Sequence, residues 1–230
     1  MTEYDLNAIV TPYVTSYIRE KTVQRDPFLR ELERYAEENG VPIAEPETAR
    51  LLSVITRLLR PKRILEVGCA IGYSSVIMAR AMEPKGSVLT LEYDPKMIET
   101  ARRNIERAGL SERITVREAD ARDYLWYIED DGGFDMIFLD GPKAHYVNML
   151  DDCVRLLRTG GALISDNILF KGMTADDGHF VRRKVTIIHR LREYIDALMA
   201  HPQLETSIIS QGDGLTLSVK TVSDEERFGY

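Results

Sequence analysis

The chain has 230 residues, 44% of them hydrophobic, enough for one sizeable core with at most a small appendage. Its 30 basic and 37 acidic residues leave a formal charge of −7, which argues against a general nucleic-acid binder and against DNA, while leaving room for a local basic face. No apolar run approaches the roughly 20 residues that cross a bilayer, the first residues lack the basic patch and apolar core of a signal peptide, and two cysteines give neither a disulfide framework nor a zinc spacing.

The protein is therefore expected to be cytoplasmic, with no membrane partner and with buried, reduced thiols at Cys69 and Cys153. The first 60 residues read as helices. DPFLRELERYAEENG has Asp26 as N-cap, Pro27 at the first helical position and Gly40 as terminator, with Phe28, Leu32 and Tyr35 at helical spacing. VPIAEP breaks that helix. ETARLLSVITRLLR begins another, whose apolar face is Leu51, Leu52, Ile55, Leu58 and Leu59.

From residue 61 the pattern alternates. RILEVG is a strand and SSVIMARAM a helix; SVLTLEY is a strand and DPKMIETARRNIERAG a helix ended by Gly109. RITVREAD and FDMIFLD are strands, YVNMLDDCVRLLR a helix and GALISDN a fifth strand. A long helix over VRRKVTIIHRLREYIDALMA leads to ETSIIS and LTLSVK, joined by QGDG as a hairpin. The rhythm predicts an α/β fold: a mostly parallel sheet with helices on both faces and an antiparallel C-terminal hairpin at one edge. No linker interrupts it, so one domain is expected over 1–230, with an N-terminal helical part over 1–60 and the sheet core over 61–230.

The turn LEVGCAIGYSS follows the first strand. In open α/β sheets the ligand lies beyond the carboxyl ends of the strands. Acidic residues fall on those ends: Glu66, Glu92, Asp120 and Asp140, with Glu92 24 residues past Gly68, where such folds place a carboxylate on ribose hydroxyls. A dinucleotide needs backbone amides free to approach pyrophosphate. Here only Gly68 and Gly72 punctuate the turn, and Glu66 repels phosphate. S-adenosylmethionine, with adenosine at one end and a sulfonium and an ammonium at the other, suits nearby carboxylates better. The alternatives are a nicotinamide dinucleotide and a turn that binds nothing.

FLDGPKAHY and ISDNILF end the fourth and fifth strands, which brings Asp140, Asp166 and Asn167 together. Two carboxylates and an amide oxygen make a hard site suited to magnesium, with positions left for water and substrate. The bland alternative is that the two acids cap the segments after them. A divalent ion there would lower the pKa of a substrate hydroxyl, and Lys143 could take or stabilise the departing proton; otherwise it is a solvated surface lysine. His145, His179, His189 and His201 show no paired ligand spacing, and His145 is not expected to line the pocket. Tyr73 and Trp126 could pack near the cofactor, but the core is their expected place.

These residues carry a resemblance. LEVGCAIGYSS, LEYDP, EADA, FLDGPK and SDNILFKG resemble the class I, magnesium-dependent O-methyltransferases that include the catechol and caffeoyl-CoA enzymes, from about VPIAEPETARLL to the C-terminal hairpin. The stretch from VRRKVTIIHRLREY to GLTLSVK is most similar to the bacterial branch that converts 5-hydroxyuridine to 5-methoxyuridine at the wobble position of tRNA. The resemblance implies a Rossmann-like methyltransferase sheet and a homodimer. It implies that Ile43 touches the donor from above, Gly68 and Glu66 approach its methionine end, and Ser74 holds its carboxylate or ammonium. Glu92 would bind the ribose, Asp120 and Ala121 the adenine edge. Asp140, Asp166 and Asn167 would hold magnesium, with Asp140 also beside the donor, and Lys143 would be general base. Gly141-Pro142 and Ala44 depart from the bulkier residues of catechol enzymes, which bears on acceptor shape.

A 5-hydroxyuridine and a catechol both present two oxygens on adjacent carbons, so the metal chemistry does not separate a tRNA anticodon loop from a small phenolic acceptor. Arg182, Arg183, Lys184, Arg190 and Arg192, with Arg25, Arg30 and Arg34, offer a basic face for RNA, unless acids such as Glu31 and Glu193 pair with them. A wobble base lies in a single-stranded loop and needs no melted duplex. A non-catalytic scaffold is disfavoured by the intact set of carboxylates, Asn167 and Lys143.

Overall fold

A computed structural model describes residues 9–176 and 182–222. Three helices come first: α1 (Pro12–Lys21), α2 (Pro27–Asn39) and α3 (Pro46–Leu59). Asp26 caps α2 as its sequence predicts, its side chain accepting from the Phe28 and Leu29 N–H groups, and Gly40 ends the helix at φ 63°. The inward stripe of α2 is Leu29, Leu32 and Ala36, while Tyr35 is exposed. α3 likewise turns Thr48, Leu52 and Thr56 inward, and Leu58, expected on its apolar face, is 79% exposed. Spacing alone permits either stripe; the one that is buried carries Thr48, Ala49, Leu52 and Thr56, and Leu58 falls outside it.

Seven strands follow: β1 (Arg63–Val67), β2 (Ser87–Glu92), β3 (Ile114–Glu118), β4 (Phe134–Leu139), β5 (Leu157–Asp166), β6 (Leu204–Ile209) and β7 (Leu215–Lys220). They form one sheet in the order β3-β2-β1-β4-β5-β7-β6, the first five parallel and β7 antiparallel to both β5 and β6. β5 begins at Leu157, earlier than GALISDN suggests, because Leu157 pairs with Phe134 before the register shifts. The crossovers are α4 (Tyr73–Ala81), α5 (Pro95–Arg107), the short α6 (Ala121–Tyr124) and α7 (Tyr146–Leu156); α8 (Val185–Ala200) leads to the hairpin. The predicted start of α8 at Val181 lies outside the described residues, and 182–184 form a separate tight turn.

The central strands β1 and β4 are buried on both faces, which is why they read as near-continuous apolar runs, whereas the edge strand β3 alternates. Ile64 packs with Leu32, Leu52, Val76 and Ile98 on one face, Leu65 and Val67 with Tyr146, Leu150 and Tyr194 on the other. Cys69 and Cys153 are buried free thiols, and burial pushes both well above the usual thiol range. Tyr73 is buried as expected, but Trp126 is 73% exposed: it sits in the tight turn after α6, where Leu125 takes the inward place instead. No helix among the described residues is long and apolar enough to cross a membrane.

Candidate functional site

Because β1 to β5 run parallel, their carboxyl ends share one edge of the sheet. β1 lies between β2, which leads outward to β3, and β4, which leads to β5, so the chain leaves β1 in opposite directions and a crevice opens there. A cavity of about 960 Å³ fills it. Ile43, Gly68, Ser74, Glu92, Asp120, Ala121, Asp140, Lys143, Asp166 and Asn167 all line it. Among the expected residues Glu66 alone does not.

The first glycine is required by close approach. Gly68 has φ 86°, and a Cβ there would stand 2.5 Å from the Asp140 carbonyl oxygen and 3.0 Å from Gly141 Cα. The ends of β1 and β4 therefore nearly touch, tied by the Asp140 N–H to the Val67 carbonyl at 2.9 Å. Gly72, at φ 84°, opens α4. Between them Ala70 also takes a positive φ, 44°, and its N–H donates to Glu92 Oε2 at 3.0 Å. Glu92 Oε1 accepts from the Tyr93 and Asp94 N–H groups at 2.9 and 3.0 Å, so three main-chain donors hold its carboxylate at the cavity wall.

Glu66 is fully buried beneath the turn. Its oxygens accept from Ser74 Oγ at 2.6 Å and from Ser75 Oγ. Burial pushes the Glu66 carboxyl above the usual range against those two hydrogen bonds, and the Glu92 charge adds to the push. Side chains alternate along a strand: Val67 stands between Glu66 and the glycine and takes the opposite face. Glu66 thus reaches the cavity through Ser74. At the far end Asp120 caps α6, accepting from Arg122 N at 3.0 Å, and its carboxylate pairs with the Arg122 guanidinium, which holds it below the ordinary range.

Asp140 follows β4 and Asp166 ends β5, in neighbouring register. Burial and the facing Asp166 charge push Asp140 well up, while Lys143 pulls it down. Burial pushes Asp166 up to about 6, against the Asn167 N–H, which donates to Asp166 Oδ1 at 2.7 Å, and against Lys143. α7 has no side-chain cap at its start, so Asp140 is not spent as one. Asn167 is held at φ 58°, a left-handed conformation that asparagine tolerates better than most residues. Among the described residues no three His, Cys, Asp or Glu side chains converge as a metal cluster. The set here is two mutually repelling carboxylates and an amide, a donor set that fits a hard divalent cation.

Cavity residues that the sequence reading missed include Cys69, Tyr93, Met97 and Arg122, and buried Tyr73 also lines the cavity. His145 also lines the cavity, contrary to expectation, because 143–145 form a single tight turn at its mouth. All stand within a few residues of a strand end, which is the signal that would have found them. Ala44 is buried at the cavity wall, and Gly141 faces Val67 so closely that a Cβ would lie 3.0 Å from Cγ1. His179 and the Arg182 side chain lie outside the described residues. Of the basic candidates, Arg190 pairs with Glu193 at 3.0 Å, Arg34 approaches Glu38 at 4.0 Å, and Arg192 Nε donates to the Thr174 carbonyl at 2.8 Å. Arg183 and Lys184 are exposed, and Lys184 Nζ lies 5.8 Å from the ring centre of Phe170, in the loop after Asn167.

A family model described as O-methyltransferase matches residues 19–221. A catechol O-methyltransferase of Niastella koreensis is 30% identical over 223 residues, covering 93% of this chain and 99% of that protein. Among solved structures, an O-methyltransferase from Bacillus cereus in complex with SAH is 28% identical with a TM-score of 0.80, covering 91% of this chain and 97% of that one. The O-methyltransferase TomG from Streptomyces achromogenes, in complex with SAM, is 26% identical with a TM-score of 0.80, covering 96% and 100%.

Proposed function

The chain belongs to the O-methyltransferase family, and from that premise we propose that it methylates one oxygen of an acceptor carrying two oxygens on adjacent carbons, with S-adenosylmethionine as donor. The observation that carries this reading is that Asp140, Asp166, Asn167 and Lys143 line the same cavity as the Gly68 turn, Glu92 and Asp120. The sulfonium of the donor supplies an activated methyl group. A magnesium ion supplies charge that makes the acceptor hydroxyl more acidic.

The chain's own residues do the rest. Gly68 admits the methionine end close to the backbone, Ser74 faces it with Glu66 behind, and Glu92 takes the ribose hydroxyls on its prearranged carboxylate. Ala121 lies at the adenine edge with Asp120, whose carboxylate also serves Arg122. Ile43 covers the donor. Asp140, Asp166 and Asn167 offer oxygens to the cation, and Lys143 either receives at Nζ, as the neutral amine, the proton leaving the acceptor hydroxyl or, as the ammonium, stabilises the oxyanion left behind. Rate comes chiefly from holding acceptor oxygen, methyl carbon and sulfur in line.

The acceptor proposed is the wobble 5-hydroxyuridine of tRNA. The resemblance of the stretch from VRRKVTIIHRLREY to GLTLSVK to that branch supports it, and so do exposed Arg183 and Lys184 beside the loop that follows Asn167. A small catechol-like acceptor is the second reading, favoured by the catechol O-methyltransferase among the relatives. Protein incubated with labelled methyl donor, hypomodified tRNA and a panel of catechols separates them. Label in tRNA, abolished by EDTA and restored by magnesium, is expected. Label in catechols alone would replace the acceptor, and full activity in chelator would sink the role given to Asp140, Asp166 and Asn167.

A further inference from the structure

The turn between β6 and β7 is remote in sequence from every residue assigned to the site, yet it is built into the site's support. β5 and β7 are antiparallel with Asp166 opposite Leu215. The chain leaving β5 after Asp166 must therefore run beside the residues that enter β7. Ile168 N–H donates to the Gly214 carbonyl at 3.0 Å and Leu169 N–H to the Asp213 carbonyl at 3.1 Å. The Asp213 carboxylate then accepts from the Lys171 N–H.

The segment held in this way is strained. Asn167, Phe170 and Lys171 have φ of 58°, 45° and 58°, a region that side-chain-bearing residues occupy only where their surroundings enforce it. The turn that enforces it is itself fixed from the other side. Gln211 Nε2 donates to the Glu47 carbonyl at 2.7 Å, in the first turn of α3. A Cβ on Gly212 would stand 3.0 Å from Thr48 Oγ1, and one on Gly214 would strike the Leu169 side chain. Half-buried Asp213 thus joins a stiff turn to the loop that begins with Asn167.

We propose that Asp213 is a positioning residue: by holding the Lys171 N–H it locks residues 167–171 in the shape that sets the Asn167 amide beside Asp166, and so tunes the affinity of this donor set for a divalent cation. The proposal rests on the reading of Asp140, Asp166 and Asn167 as cation ligands. Asp213 acts through the backbone and needs no contact with donor or acceptor. It explains why an acid sits between two left-handed glycines in a turn that a plain hairpin would close with any polar residue.

The test titrates Mn²⁺ into the protein without methyl donor, read by electron paramagnetic resonance, for the wild type, Asp213→Ala, Asp213→Asn and Asp166→Ala. Calorimetric affinity for S-adenosylhomocysteine reports the rest of the site. Asp213→Ala is expected to weaken Mn²⁺ by about ten- to a hundredfold, as loss of a group orienting a metal ligand does, with S-adenosylhomocysteine affinity within about twofold. Asp213→Asn keeps an oxygen acceptor for the Lys171 N–H and is expected to recover most of the loss. Wild-type Mn²⁺ affinity in Asp213→Ala, alongside its loss in Asp166→Ala, overturns the role of Asp213 and leaves the cation reading standing. Parallel loss of S-adenosylhomocysteine affinity, or an asparagine variant as weak as the alanine one, overturns it as well. No Mn²⁺ binding by the wild type, or undiminished binding in Asp166→Ala, overturns both.

Discussion

Alanine at position 68 adds one methyl group where the ends of β1 and β4 meet. The new carbon would stand 2.5 Å from the Asp140 carbonyl oxygen, 2.9 Å from its carbon and 3.0 Å from Gly141 Cα, all main-chain atoms that cannot swing aside. Gly68 also holds φ 86°, a region that costs an L residue about 1–2 kcal/mol. Relieving the contact means parting two buried strands, an overpacking strain of about 1–3 kcal/mol. The sum is a loss of about 2–5 kcal/mol. Gly40 supplies the control: it has φ 63° with nothing within 4 Å of a built Cβ, so Gly40→Ala should carry the backbone cost alone. Urea denaturation of the two variants measures each loss, and S-adenosylhomocysteine titration shows whether the cavity follows. Gly68→Ala should lose at least about 1 kcal/mol more than Gly40→Ala and bind the ligand more weakly. Equal losses in the two variants would refute the claim that close approach, rather than backbone conformation, requires this glycine.

Asp26→Ala should remove about 1 kcal/mol at pH 7, the usual worth of a helix N-cap. Burial would raise the Asp26 carboxyl, but the Leu29 N–H, the Arg80 charge and the Phe28 N–H outweigh it and hold the folded pKa below the ordinary aspartate value. The stability so gained is present above the unfolded pKa and is lost as pH falls through the folded one, so wild type and variant should converge in urea melts taken at successively lower acid pH. Arg19 bonds Glu47, which is 4% exposed, through Nε at 3.1 Å. Arg19→Ala should destabilise by about 1–3 kcal/mol, less than a fully buried pair because the arginine itself is half exposed, and adding Glu47→Gln should restore much of it by removing the stranded charge. In the tRNA reaction, Lys184→Ala should lower the slope of log affinity against log salt by about 1 if the lysine meets one phosphate, while leaving any catechol reaction unchanged. An unchanged salt slope would remove Lys184 from the RNA surface.

The strand ends show which parts of this site a sequence can disclose. Glu92, Asp140 and Asp166 were legible because parallel strands finish on one edge, so an acid at each finish must join the others there whatever the packing. Glu66 differs from them: its carboxylate lies under α4, where Ser74 and Ser75 take its oxygens, so it meets the cavity only through Ser74, a placement the motif does not disclose. Leu58 and Tyr35 were misassigned for a different reason, since helical spacing offers more than one stripe and only the neighbouring surface selects between them. Asp213 is the instructive omission. QGDG was read as a hairpin turn, and a turn has no partner until the strand order is known. Once β7 is set against β5 with Leu215 opposite Asp166, residues 213 and 214 must lie beside residues 168 and 169, and the acid between the glycines falls against the loop that carries Asn167. The local chemistry of a site can thus be read from motifs, but the residues that hold a motif in shape are chosen by strand pairing across long separations, and those are found only after the order of the sheet is fixed.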